Sequence, residues 1–255
     1  MASNDSIKKT LLVAVTLCIV CALVVSGAAV LLKPAQVANK ALDRKANILA
    51  AAGLLVPGES VESQFEQVTT RIVDLRTGEY SDEMPIEGFE QMRVAKNPAT
   101  SIALGEDDQA KIKRRENFAM VYLIKDGDEL QKIILPIRGY GLWSTLYGFL
   151  ALESDFTTVA GLGFYEHGET PGLGGEVDNP RWKALWPGKE IYQDGNVAID
   201  LVKGNVDEST PNASHKVDAL SGATLTSRGI ANLLQFWMGE LGYQKFLENL
   251  RSGEA

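Results

Sequence analysis

With 255 residues and 45% apolar side chains, the chain is long enough for one or two domains with a real core. Its formal net charge of -8 gives no global attraction to nucleic acid or anionic lipid, which disfavours nucleic-acid binding. The two cysteines, Cys18 and Cys21, both fall inside one apolar run, so the rest of the chain has no thiol for a disulfide, a zinc site or an iron–sulfur centre.

Residues 11–32 carry no charge and would be roughly 33 Å long as a helix, enough to cross the hydrocarbon core of a bilayer. Lys8, Lys9 and Lys33 mark the ends of this run. Ser26, Gly27, Ala28 and Ala29 would suit a cleaved signal peptide, but the run continues through Val30, Leu31 and Leu32, which favours an uncleaved anchor. Lys33, Lys40, Arg44 and Lys45 outnumber Lys8 and Lys9, so the flanking charges oppose an outside C-terminal domain. Cys18 and Cys21 stand three residues apart on one face of this helix and read as small packing thiols.

Residues 36–55 read as a helix continuing from the anchor, stopped by Pro57-Gly58. A second helix is expected from between Ser60 and Ser63. Ser63 and Glu66 form a possible capping box, and Phe65, Val68, Ile72 and Leu75 follow at helical spacing up to a loop at Arg76-Thr77-Gly78. Residues 85–115 are mixed, and the charged run from Glu106 through Lys111, Lys113, Arg114 and Arg115 is expected to be a solvated face. Residues 118–124 and 130–137 are two β-rich runs around Asp126-Gly127, the pattern of a hairpin. Further strands are expected at 146–152, 157–165 and 197–202. The fold class is therefore α+β, a largely antiparallel sheet with helices at both ends, preceded by one N-terminal transmembrane helix. We divide the chain into residues 1–34 (tail and anchor), 35–115 (a membrane-proximal helical and mixed segment) and 116–255 (a ligand-binding domain).

Two glycine-rich loops follow strands. One holds Gly141, Leu142 and Trp143, the other Glu169, Thr170, Pro171, Gly172 and Leu173. Turn glycines and a core tryptophan would account for each alone, although such loops also let backbone amides approach a ligand. His167 and His215 read as polar loop histidines, with proton donation to a ligand as the alternative. Ser221, His215 and Asp218 supply the residue types of a hydrolytic triad, but there is no nucleophile-elbow motif. No glycine-rich nucleotide fingerprint occurs.

Near the end of the chain, Asp218, Ser221, Gly222, Ala223, Thr224, Leu225, Thr226 and Ser227 run into an apolar pattern of Ile230, Leu233, Leu234, Trp237 and Leu241 at helical spacing. Small residues and hydroxyls thus crowd a helix entrance, where a phosphate beside Thr224 would meet unpaired N–H groups. The plainer reading makes Ser221 or Thr224 an N-cap. The spelling Asp218-x-x-Ser221-Gly222-Ala223-Thr224 resembles the flavinylation motif of covalent FMN-binding proteins. In that family a transferase moves FMN from FAD onto the final threonine as a phosphoester.

The whole layout, one apolar helix followed by an extracytoplasmic domain, is similar to the C subunits of sodium-translocating NADH:quinone reductases. The resemblance implies covalent FMN on Thr224, with Thr226 as the other possible acceptor. It implies an isoalloxazine ring between Gly141-Leu142-Trp143 and Glu169-Thr170-Pro171-Gly172-Leu173, Thr170 being a hydrogen-bond candidate for the ring's polar edge. It also implies a periplasmic domain on the bacterial inner membrane, an FAD-dependent flavin transferase and other subunits of a respiratory complex as partners. The expected role is a one-electron relay between an upstream iron–sulfur centre and the flavin of a neighbouring membrane subunit. Sodium would move elsewhere, because the span contains no ionisable side chain except its thiols. Two alternatives are the G subunit of an Rnf-type ferredoxin:NAD complex and an anchored binding or assembly module without cofactor.

Overall fold

The computed structural model describes residues 6–254. Helix α1 spans Ile7–Ala51 and includes Pro34, whose missing N–H removes one bond of the helical ladder. The chain divides into two compact units, Met1–Asp43 and Arg44–Ala255. In the first, the described part is helical and its large apolar side chains from Leu11 to Leu32 are exposed, the composition of a single membrane-crossing helix. In the second, the last turns of α1 bury Ile48, Leu49 and Ala51. The helix ends earlier than the expected 55. Gly53 takes φ +71°, its N–H bonds to Ala50 O and that of Leu54 to Leu49 O, a Schellman closure that needs no proline.

Helix α2 is short, Val61–Phe65, and Ser60 caps it by accepting from the Ser63 N–H, so the expected cap at Ser63 is displaced by one turn. The helical reading of Val68, Ile72 and Leu75 is corrected: Val68–Asp74 is strand β1. Val68 and Ile72 are four residues apart, a spacing that keeps side chains on one face in a strand as well as in a helix. The β-branched run Val68, Thr69, Thr70, Ile72, Val73 tips the choice towards the strand.

The chain continues through β2 (Glu79–Tyr80), α3 (Gln91–Lys96), β3 (Ser101–Ala103) and β4 (Arg114–Glu116) into the long strands β5 (Phe118–Asp126), β6 (Glu129–Tyr140), β7 (Thr145–Glu153) and β8 (Val159–Glu166). The main sheet is antiparallel in the order β2-β1-β5-β6-β7-β8. It takes β1 from the segment before residue 115 and β5 to β8 from the segment after it.

Both faces of the sheet are covered, so β5 reads as an uninterrupted apolar run instead of an alternation. Ala119, Val121 and Leu123 join one core, while Phe118, Met120, Tyr122 and Ile124 join the other with Ile48 and Ala51 from the end of α1 and Ala52 just after it. A four-residue helix, α4 (Pro180–Lys183), leads to the short strands β9 (Tyr192–Gln193), β10 (Asn196–Val197), β11 (Asp200–Val202) and β12 (Lys216–Asp218). The single strand expected at 197–202 is therefore two pieces with different partners: β10 pairs β9 antiparallel and β11 pairs β12 parallel. Helices α5 (Thr224–Met238) and α6 (Gln244–Ser252) close the first core, with Ile230, Leu233, Leu234, Trp237 and Phe246 buried against the sheet.

The end of the charged run is not a solvated face. Arg115 is 4% exposed and donates to the Leu241 carbonyl at 2.9 Å, while Arg114 donates to Ser101 Oγ and Ser101 O, each at 2.8 Å. A guanidinium with several carbonyl acceptors is the charged side chain best suited to such burial.

Candidate functional site

Two hairpin ends and one helix entrance converge. The β6–β7 connection is residues 141–144, and the turn after β8 carries residues 167–173. Glycine permits the convergence. A Cβ on Gly229 of α5 would overlap the Tyr140 carbonyl and lie 2.9 Å from Gly141 Cα, so the helix rests directly on the end of β6. Gly229→Ala is expected to push the first half of α5 off the sheet and to cost about 1–3 kcal/mol, read as a lowered Tm.

Glu169 connects the three stretches. It is 5% exposed, its Oε1 accepts from the N–H groups of Leu142, Trp143 and Ser144 at 3.1, 2.9 and 3.2 Å, and its Oε2 accepts from Thr226 Oγ1 at 2.6 Å. Ser144 Oγ adds a second tie by accepting from the Gly168 N–H at 2.6 Å. Burial pushes the Glu169 carboxyl up, but the bonds from Thr226, Trp143, Ser144 and Leu142 outweigh it and hold the group below the usual carboxylate range. For a carboxylate lowered by folding, the stabilisation is complete above the ordinary value of about 4.3 and is lost as pH falls through the lowered one. The amide resonances of Leu142, Trp143 and Ser144 should therefore stay constant down to about pH 4.3 and move together only below it.

Thr224 is the first residue of α5 and is exposed. The residue before it, Ala223, has no side chain able to cap, so neither Ser221 nor Thr224 is the N-cap and the first N–H groups of α5 receive no side-chain cap. Ser221 and Gly222 are exposed beside it, Gly222 with φ +71°. Thr226 differs: it is 0% exposed with its hydroxyl given to Glu169, which leaves it poorly placed as an acceptor for any group coming from solvent. Asp218 braces the entrance, its Oδ1 accepting from the Val206 N–H at 2.7 Å and its carbonyl from Trp182 Nε1 at 2.9 Å.

Large apolar side chains stand exposed on all three stretches. Trp143 is 65% exposed, Leu225 51% and Leu173 45%, and a Cβ on Gly222 would lie 3.1 Å from Leu173 Cδ2. Exposed apolar groups gathered at one place on a soluble unit mark a ligand or partner surface. Thr170, Pro171 and Gly172 are exposed in the same turn, and the Thr170 carbonyl accepts from the Leu173 and Gly175 N–H groups.

Both histidines are committed elsewhere. His167 Nδ1 accepts from the Glu169 N–H at 3.2 Å, so its Nε2 carries the proton given to Asp178 at 2.9 Å. His215 Nδ1 faces Glu190 O at 2.9 Å and its Nε2 faces Glu190 Oε2 at 3.4 Å, which removes it from any triad with Ser221. Three further residues contribute: Ser227 stood among the entrance hydroxyls read from the sequence, and Gly174 and Arg228 were not singled out. Ser227 Oγ accepts from Leu220 N–H and donates to Ala223 O, fixing the entrance loop. Gly174 leaves room for Thr226 and Glu169. Arg228 is exposed one turn after Thr224 and has no hydrogen bond or ion pair among the described residues. The i, i+4 spacing from Thr224 was the signal for Arg228; nothing local signalled which bonds Ser227 makes or the room Gly174 leaves.

The family model for the FMN-binding domain matches residues 141–239, which hold the β6–β7 connection, the turn after β8 and the whole of α5. The chain is 54% identical to the C subunit of the Na(+)-translocating NADH-quinone reductase of Pseudomonas aeruginosa over 100% of both chains. It is 48% identical to that of Vibrio vulnificus over 99% of both. Among solved structures, that of Shewanella oneidensis NqrC matches with a TM-score of 0.77 at 39% identity, covering 84% of this chain and 99% of that one. The C subunit of the Parabacteroides distasonis reductase matches with a TM-score of 0.66 at 26% identity, covering 85% and 96%. A match to the FMN-binding domain that covers these two loops and this helix, one apolar N-terminal helix and likeness along the whole length place the chain in the family of the C subunits of the Na(+)-translocating NADH-quinone reductases.

Proposed function

We propose that Thr224 carries FMN as a phosphoester and that the chain, as a subunit of the NADH-quinone reductase complex, relays electrons through it. The observation that carries this reading is the exposed Thr224 at an uncapped helix start, with exposed apolar side chains on all three converging stretches, while the competing Thr226 hydroxyl is buried. The membership of the family favours it over an Rnf-type G subunit and over a cofactor-free module.

The residues present fit the group. A phosphate on Thr224 Oγ would meet the first N–H groups of α5 and the positive end of its dipole, with Arg228 one turn on to match its charge. Trp143, Leu142, Leu173 and Leu225 would take the ring's apolar faces, and Thr170 its polar edge. FMN, when bound, supplies one-electron transfer. Attachment by an FAD-dependent transferase joins Thr224 Oγ to the FMN phosphorus and breaks the diphosphate of FAD, with AMP leaving and the hydroxyl proton passing to solvent or the transferase.

In this division of labour residues 1–34 anchor the chain, 116–255 hold the flavin, and 35–115 brace the sheet that positions it. The soluble unit lies on the periplasmic side, where a covalent link keeps the cofactor from being lost. Electrons come from an iron–sulfur centre upstream and pass to a flavin in a neighbouring membrane subunit; the sodium path is not in this chain's span, where Cys18 and Cys21 are the only ionisable side chains. The test is ultraviolet fluorescence of the denatured protein band after co-expression with a flavin transferase. A bright wild-type band that is dark in Thr224→Ala supports the reading, and a dark wild-type band rejects it.

A further inference from the structure

Glu169 was expected among the residues lining the ligand, yet neither of its oxygens is offered outward. Oε1 takes three backbone N–H groups and Oε2 the Thr226 hydroxyl, in a side chain 5% exposed. The surrounding backbone is cut back to admit it: a Cβ on Gly141 would stand 2.6 Å from Oε1 and one on Gly174 2.7 Å from Oε2. Its own N–H is held by His167, which is held in turn by Asp178.

We propose that Glu169 is a positioning residue that fixes the orientation of the flavin ring by tying the 141–144 loop to the first turn of the helix that bears Thr224. The inference rests on the Thr224 reading. The covalent link fixes only the phosphate end of the cofactor, and the ribityl chain between phosphate and ring has several freely rotating bonds. What holds the ring is therefore the placement of Leu142 and Trp143 relative to α5, and one carboxylate sets it. Three N–H groups converging on Oε1 fix the path of the loop, and the Thr226 bond fixes it against the helix. Thr226 and Thr224 share one helical turn, so the second tie acts two residues from the attachment point.

The consequence separates attachment from orientation. Without the Glu169 carboxylate the three N–H groups lose their acceptor and the loop leaves its place, while Thr224 remains exposed for flavinylation. Glutamine keeps an Oε1 acceptor for the loop and can donate its Nε2–H to Thr226 Oγ1, so Glu169→Gln restores both ties.

The experiment uses the full chain, flavinylated by co-expression with the transferase, as wild type, Glu169→Ala, Glu169→Gln and Thr226→Val. In Glu169→Ala the denatured band stays fluorescent, but the native flavin loses the slow component of its fluorescence-anisotropy decay in favour of nanosecond local motion, and iodide quenches it more strongly. Glu169→Gln returns both readings towards wild type. Anisotropy and quenching in Glu169→Ala equal to wild type would overturn the proposal and leave the Thr224 assignment standing; a dark wild-type band would overturn both. Should Glu169→Ala not fold, Thr226→Val removes the helix-side tie alone, and an unchanged flavin anisotropy there overturns the proposal.

Discussion

Replacing Thr224 by alanine is expected to abolish electron relay with little effect on stability. The side chain is exposed at the first position of α5, and none of the hydrogen bonds found at the site uses its hydroxyl. Surface substitutions of this kind stay within about 0.5 kcal/mol. The Thr224→Ala protein should therefore melt like the unflavinylated wild type, while sodium-stimulated quinone reduction by the complex falls to that of a complex without this subunit. Thr224→Ser keeps a hydroxyl at the same place and should keep part of both the flavin and the activity. Thr226→Val is the converse: it loses a buried bond to a carboxylate, costs about 1.5–3 kcal/mol, and leaves the denatured band bright.

The largest expected loss of stability lies beneath the site, in a buried ion pair. Arg138 Nη1 meets Glu116 Oε1 at 2.6 Å with the two side chains 5% and 0% exposed, Gln91 Nε2 donates to the same oxygen at 2.6 Å, and the second Arg138 nitrogen donates to the Arg114 carbonyl. The guanidinium also lies 5.3 Å over the Trp237 ring, and Trp237 Nε1 donates to the Arg138 carbonyl at 2.7 Å, so the pair locks α5 to β6. Arg138→Met leaves the Glu116 carboxylate buried without its cation and should cost about 3–5 kcal/mol. At roughly 2–4 °C per kcal/mol for a unit of this size, Tm should fall by about 6–20 °C in a calorimetric scan. The double variant Glu116→Met with Arg138→Met should recover much of that loss, because the stranded charge goes with its partner. A double variant as unstable as the single one would show that the hydrogen bonds, more than the charge, hold α5 to the sheet.

How much of this could be read in the sequence depended on whether the signal was local. Asp126-Gly127 between two β-rich runs announced the β5–β6 hairpin, and the spacing of Ile230, Leu233, Leu234 and Trp237 announced α5, because turn chemistry and periodicity are local properties. Val68 and Ile72 misled because four residues is a repeat shared by strand and helix, and only the pairing with β5 decides between them. Arg115 read as solvated because its acceptors, above all the carbonyl of Leu241, lie far along the chain. At the site, the motif ending in Thr224 and the two glycine-rich loops were legible, and the fold brings all three together. The means was not: Glu169 stands 57 residues from Thr226 and 27 from Leu142, and no local pattern gives an acidic side chain in a turn a role in joining them.

The most direct test of the account is mass spectrometry of the wild-type protein isolated from cells that contain the flavin transferase. Cleavage after Lys216 and Arg228 releases residues 217–228, a peptide that contains both threonines. The account predicts that this peptide is heavier by one FMN less one water, with fragment ions placing the whole increment on Thr224. An unmodified peptide from protein made with active transferase, or an increment on Thr226, would contradict it.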